Sequence, residues 1–105
     1  MTAKELILSL PEKFNGEGLE GEIAKFHFNI DGEEGGEYTV HIENGQCNVL
    51  EGLEGDADCT IKSKDKTLNK IISKDLNAQM AMFTGKLKIS NLGVMMKFAK
   101  RFGLM

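Results

Sequence analysis

Two histidines and two cysteines are the side chains in this 105-residue sequence best equipped to bind a metal or act as a nucleophile. His27 and His41 lie at outward positions of two neighbouring alternating runs, EIAKFHFNI and EYTVHIE. Zinc needs at least three protein ligands. No third ligand is placed beside this pair, so both histidines are read as part of a solvated sheet face. Cys47 and Cys59 are 12 residues apart, outside any C-x-x-C spacing, and sit in strand-like runs. There a reduced thiol behaves as a small hydrophobe. The acidic run DGEEGGE, residues 31–37, lacks the calcium-loop spacing. There is no G-x-S-x-G elbow, no P-loop and no G-x-G-x-x-G fingerprint, and no serine or cysteine has a base beside it in the sequence. Neither catalysis nor a metal or other cofactor is expected.

The remaining feature with chemical content is apolar. FTGKLKISNLGVMMKFAKRFGLM, residues 83–105, passes from a short strand-like run into a helical one. On a helical wheel Val94, Phe98, Phe102, Met95, Ala99, Leu92 and Met96 fill a continuous arc of roughly 200°. A core-facing helix needs an apolar stripe of only about 100° or somewhat more. The excess must face a partner, a membrane or a cavity. Met80, Met82, Met95, Met96 and Met105 are five of the six methionines. Their unbranched, polarisable side chains suit a wall that adapts to a flexible chain, and equally suit plain core filling.

The elements that must position this segment follow from periodicity. TAKELILSLPEKF opens with a capping box, Thr2 and Glu5, and sets Ala3, Leu6, Ile7, Leu10 and Phe14 on one helical face. Pro11 is expected to kink or restart that helix. Ala24, Phe26, Phe28 and Ile30 alternate with polar residues, as do Tyr38, Val40 and Ile42, which marks two half-buried strands. Asn44-Gly45 signals a two-residue hairpin turn. QCNVL is the returning strand and CTIKS a fourth, with Cys59 and Ile61 inward. SKDKTLNKIISKDL reads as a helix with Leu68, Ile71, Ile72 and Leu76 on one side. A short helix capped by Asn77 follows, stopped by Gly85, then strand KLKI and a last helix from Ser90 or Asn91 to about Phe102. This order predicts an α+β domain, residues 1–105, with a five-stranded, largely antiparallel sheet and its helices on the Phe26, Val40 and Ile61 face.

Charge and composition narrow the function classes. The net charge of −3 combines a segment from residue 76 onwards carrying five bases and no acid with a strongly acidic remainder. An acidic body argues against nucleic acid as the partner. Lys97, Lys100 and Arg101 line the polar side of the last helix, where they form a solvated face or meet an anionic membrane surface. No apolar run of 18 residues spans a bilayer. The start of the chain, MTAKELILSL, lacks a secretory pattern, so a cytoplasmic location is expected.

Residues Ala57–Ile89, ADCTIKSKDKTLNKIISKDLNAQMAMFTGKLKI, resemble the C-terminal half of the sterol carrier protein 2 domain. That family shows a Cys-Thr-Ile-type strand, a helix opened by an acid, an Asn-containing turn, GKLKI and an amphipathic last helix. Gly85–Ile89 match outright, Leu76-Asn77 stand at the turn, and Ala78 replaces the frequent proline. Ser90-Asn91 is one residue shorter than the usual KGN, and the chain ends Gly-Leu-Met rather than in the peroxisomal tripeptide. The resemblance implies a small stand-alone, cytoplasmic, prokaryotic member that carries lipid without catalysis. Its ligand would be a fatty acid, acyl-CoA or phospholipid in preference to a sterol, held in an apolar tunnel between sheet and helices. Carried over by position, the lining is Ile71, Ile72, Leu76, Met80, Phe83, Leu87, Ile89, Leu92, Met95, Met96 and Ala99, with Phe26, Phe28 and Val40 as the sheet floor. The alternative is a homodimerisation or interaction module that uses the wide face of the last helix.

Overall fold

The computed structural model describes residues 2–99 and 101. Helix α1 spans Ala3–Lys13. Its capping box is formed: the Glu5 amide donates to the Thr2 hydroxyl at 3.2 Å, and the Thr2 amide donates back to the Glu5 carboxylate at 3.1 Å. That second bond holds the Glu5 carboxyl below its ordinary range. The helix does not restart at Pro11 but runs on to Lys13. Pro11 stands in the last turn, where a missing N–H affects only the end of the hydrogen-bond ladder. Ala3, Ile7 and Leu10 are buried, as the 3.6-residue period requires.

Strands β1 (Ile23–Asp31), β2 (Gly36–Glu43), β3 (Gln46–Glu51), β4 (Cys59–Lys64) and β5 (Leu87–Ile89) form one sheet in the order β3-β2-β1-β4-β5. The turn between β2 and β3 is the expected one, with positive φ at both Asn44 (53°) and Gly45 (74°). Three of the four pairings are antiparallel, and the β1–β4 pairing is parallel, with Phe26 opposite Cys59 and Phe28 opposite Ile61.

The parallel pairing requires a crossover, and residues 52–58 supply it across the polar side of the sheet. The Thr39 hydroxyl donates to the Gly52 carbonyl at 2.7 Å and accepts from the Glu54 amide at 2.9 Å. His27 Nε2 lies 2.9 Å from the Glu54 carbonyl, and the Lys25 amide donates to Asp58 Oδ2 at 2.9 Å. Thr39, an outward residue by alternation, is buried by this strap.

Helices α2 (Asp65–Ile72), α3 (Ala78–Phe83) and α4 (Leu92–Ala99) complete the fold. The second helix is shorter than its apolar pattern. Lys74 takes a left-handed φ of 68°, and the amides of Asp75 and Leu76 both donate to the Lys70 carbonyl, at 2.8 and 3.1 Å. Leu76 therefore lies past the helix, in the connection to α3. The last helix ends at Ala99, and Arg101 is already in a turn. Phe102, the expected end of that helix, lies outside the described residues, as do Lys100 and Met105. A single apolar core joins α1 (Ile7, Leu10), the sheet (Phe26, Val40, Ile42, Ile61) and the late helices (Leu68, Ala81, Phe98). This is the α+β architecture with a mostly antiparallel sheet.

The loop after α1 meets the β2–β3 turn backbone to backbone. A Cβ at Gly16 would overlap the Gly45 carbonyl, backbone against backbone, which neither segment can easily relieve. G16A is expected to cost about 1–3 kcal/mol of stability, the usual range for forced overpacking, as read from urea denaturation.

Candidate functional site

The segment from α2 to α4 is placed by short-range hydrogen bonds. Asn77 caps α3, its Oδ1 accepting from the amides of Gln79 at 2.7 Å and Met80 at 3.3 Å. Gly85, at φ 78°, ends it, while the Gly85 and Lys86 amides close back on the Met82 and Ala81 carbonyls. The three residues of β5 then pair with β4. Ser90 clamps the exit of that strand: its amide donates to the Thr60 carbonyl at 3.0 Å, and its hydroxyl accepts from the Thr60 amide at 2.8 Å. Asn91 Oδ1 accepts from the Val94 amide at 3.2 Å and starts α4.

The last helix is tied down towards its C-terminal end. Phe98 is buried and meets the buried Phe26 ring edge-on, with centroids 5.7 Å apart and planes at 86°. Lys97 pairs with Glu22 at 2.9 Å and lies 5.6 Å from the Phe98 ring centre. Arg101 Nη1 donates to the Glu17 carbonyl at 2.5 Å, and the Arg101 carbonyl accepts from the Asn15 amide at 2.8 Å. Two cations assigned by sequence to a free basic face are thus engaged with the loop that precedes β1. The third, Lys100, lies outside the described residues.

Between these fixed points the apolar arc divides. Phe98 enters the core, Val94 and Met95 are half-buried, and Leu92 and Met96 are each 47% exposed. The preceding helix divides likewise. Ala81 is fully buried and Met82 half-buried, whereas Met80 is 56% and Phe83 89% exposed. Ile71, Ile72, Leu76, Ile89 and Phe28 are half-buried against the same core. Phe26, Val40 and Leu87 lie inside it. Ala99 closes α4. Met82 and Val94 belong to the half-covered set but were not among the lining candidates. Val94 stands one helical turn before Phe98, a spacing that puts both on one face and would have suggested it. The result is a soft apolar surface of thioether and aliphatic groups along α3 and α4, without an ionisable side chain among its members.

Other chemistry is weak by comparison. The register sets His41 opposite Lys25 and His27 opposite Thr39, so the histidines are diagonal neighbours instead of facing each other. Among the described residues no group of three His, Cys, Asp or Glu side chains is placed to hold a metal ion. Both cysteines are free and buried. They lie on β3 and β4, with β2 and β1 between them, roughly 14 Å apart at ordinary strand spacing and too far for a bridge. Burial pushes the Cys47 thiol up to about 11, and burial also raises that of Cys59 against the opposing hydrogen bonds of Asn91 and Ser90. Both stay protonated at neutral pH and are poor nucleophiles. No helix among the described residues is long and apolar enough to cross a membrane.

Comparisons with known proteins bear on the family and the fold. The profile of the SCP-2 sterol transfer family matches residues 10–103. Sterol carrier protein 2 of Bos taurus is 42% identical over 76 residues, 69% of this chain and 14% of that protein. The chain thus spans about one seventh of the length of that curated relative. Among solved structures, palmitated SCP2L2 of Aedes aegypti superposes with a TM-score of 0.69 at 20% identity, covering 97% of this chain and 95% of that one. A double mutant of the sec-alkyl sulfatase PisA1 superposes with a TM-score of 0.77 at 21% identity, covering all of this chain and 16% of the larger protein. PisA1 comes from a Pseudomonas species.

Two outcomes follow from the packing. F98A, which empties the ring site against Phe26, is expected to destabilise the fold by about 3–5 kcal/mol in urea. The raised thiols predict no reaction with an aromatic disulfide reagent at pH 8 until denaturant is added. The folded state holds these protons more tightly than the unfolded chain, so this contribution to stability is complete below the unfolded thiol's pKa of about 8.5. It is lost as pH rises towards the folded Cys47 value of about 11.

Proposed function

The chain belongs to the SCP-2 sterol transfer family, and we propose that it binds and carries a lipid with a linear acyl chain, held against the soft apolar surface of α3 and α4. The observation that carries this reading is the divided arc of those helices. Each commits one side chain to the core, Ala81 or Phe98, and leaves methionines and aliphatic residues half-covered or exposed beside it. Ile71, Ile72, Leu76, Ile89 and Met95 would form the inner wall of the seat. Met80, Phe83, Leu92 and Met96 would form its outer lip, and Phe28 its floor.

The energetics suit a carrier. Burying a methylene contributes about 0.8 kcal/mol, so a 16-carbon chain gains on the order of 12 kcal/mol gross. Association and chain ordering offset several of these, which leaves micromolar binding or tighter. An apolar wall discriminates weakly between chain lengths. The structural neighbour solved in its palmitated form supports an acyl ligand. Release requires α4 to lift from Phe26, and anionic lipid would then compete with Glu22 for Lys97. Lys97, Lys100 and Arg101 are the side chains assigned to that membrane contact.

Native mass spectrometry after incubation with palmitate tests the carrier reading. One fatty acid on a monomer is expected, and M96E, which sets a charge at the exposed lip, should weaken binding about tenfold or more with little change in thermal midpoint. An empty dimer, with the exposed lip covered by a second copy, would instead establish an interaction module. For transfer, the combined change of Lys97, Lys100 and Arg101 to Gln should slow delivery to anionic vesicles and leave delivery to neutral ones unchanged.

A further inference from the structure

The opposite side of the β4–β5 pair carries a second constellation, made of charge. Alternation turns Ile61, Ser63, Leu87 and Ile89 towards the helices, and Lys62 and Lys88 away from them. The register sets Lys62 directly opposite Lys88. Carried one residue further, the same register brings Lys64 towards Lys86. Cross-strand neighbours have Cβ atoms about 4.5–5.5 Å apart, and like charges in that relation are destabilising. These four lysines, with Asp31, Ser63, Thr67 and Gly85, line a cleft of about 390 Å³. That volume is within the roughly 300–1,000 Å³ of small-molecule sites.

Asp31 is the one carboxylate in the lining, against four ammonium groups. None of the four lysines forms an ion pair among the described residues. Lys64 is also the residue that precedes α2, and it gives that helix no side-chain cap. A cation there opposes the helix dipole. The Asp65 carboxylate offsets the dipole in part, accepting from the first-turn Lys66 amide at 2.7 Å and from the Glu34 amide at 2.9 Å.

Lysines on an edge strand have a simpler use, since they block edge-to-edge pairing. That explains Lys86 and Lys88, because β5 is an edge. It does not explain Lys62 and Lys64, because β4 is an interior strand between β1 and β5. Repulsion gathered around a concave site is relieved by a multivalent anion. The geometry points to this cleft as a binding site for the phosphate groups of a soluble phosphorylated ligand, with the four ammonium groups and the Thr67 hydroxyl as donors. Concavity favours a soluble phosphate over a membrane surface, which a convex face would meet better. This assignment stands on the β4–β5 pair and the start of α2 and does not depend on the acyl seat of α3 and α4.

Amide NMR spectra of the full chain, titrated with sodium pyrophosphate at constant ionic strength, test it. Saturable shifts are expected at residues 62–67 and 85–88. K62Q/K88Q and, separately, K64Q/K86Q should weaken the affinity roughly tenfold or more, as charge-assisted hydrogen bonds are lost. Both variants remove like-charge contacts, so their spectra should stay dispersed and their palmitate binding unchanged. The absence of saturable shifts at millimolar pyrophosphate overturns the assignment, as does unchanged affinity in both variants. Lysine-dependent attachment to phosphatidylglycerol vesicles without a pyrophosphate response also overturns it, and gives the cleft to a membrane surface.

Discussion

The edge-to-face contact between Phe98 and Phe26 is the interaction on which the roof of this fold depends. The helices that make the roof, α3 and α4, have six and eight residues. Helices shorter than about 12–15 residues are marginal in water on their own. They persist here through caps, through the Ser90 clamp and through single anchors, Ala81 in α3 and Phe98 in α4. Burial of a phenylalanine contributes about 1.5–3 kcal/mol, and a well-placed ring pair about 0.5–1.5 kcal/mol more. A roof held by so few terms belongs to the easily opened part of the molecule, whereas β1 and β2, paired on both sides, belong to the rigid part. The apolar surface flanking each anchor is therefore accessible without unfolding the sheet.

Strand alternation then divides the chemistry. In β4 and β5 the residues that face the helices are Cys59, Ile61, Ser63, Leu87 and Ile89, and Lys62, Lys64 and Lys88 alternate with them on the other side. A shift of one residue in the β4–β5 register would exchange the two sets. The Ser90–Thr60 bonds and the closure of α3 at Gly85 hold that register from either end of a strand only three residues long.

Local chemistry made much of this legible in the sequence. The Thr2–Glu5 box, the Asn77 cap, the Asn44-Gly45 turn and the Gly85 stop each depend on residues within a few positions, and all stand where the residue types place them. The alternation of β1 and β2 is equally direct, because one side of those strands packs on the core. What escaped depends on distant partners. The parallel pairing of β1 with β4 follows from the strap over Thr39 and His27, a loop whose composition says nothing of where it lies. The second helix stops before Leu76 because Lys74 turns left-handed, a conformation that lysine composition does not signal. The wide arc of α4 was visible, but its division into an anchored residue and an open lip required knowing that Phe26 lies beneath Phe98. The lysine quartet was hidden for the same reason. Two K-x-K spacings, at 62–64 and 86–88, become one cluster only through the β4–β5 register.

The division of the surface constrains what can be recognised. Methionine and leucine side chains supply binding free energy in proportion to the area they cover, but a missing methylene changes it little, so the apolar lip selects for shape and length only coarsely. Discrimination among ligands must come from fixed polar groups, where an unmatched donor or charge is costly. Near the roof those groups are sparse, and the cations there are already engaged with Glu22 and the Glu17 carbonyl. Lys62, Lys64, Lys86 and Lys88, without an ion pair among the described residues, lie instead on the far side of β4 and β5. On the proposed reading, affinity for an apolar chain would reside along α3 and α4 and selectivity for an anionic group in the cleft of β4 and β5, two faces kept apart by strand alternation.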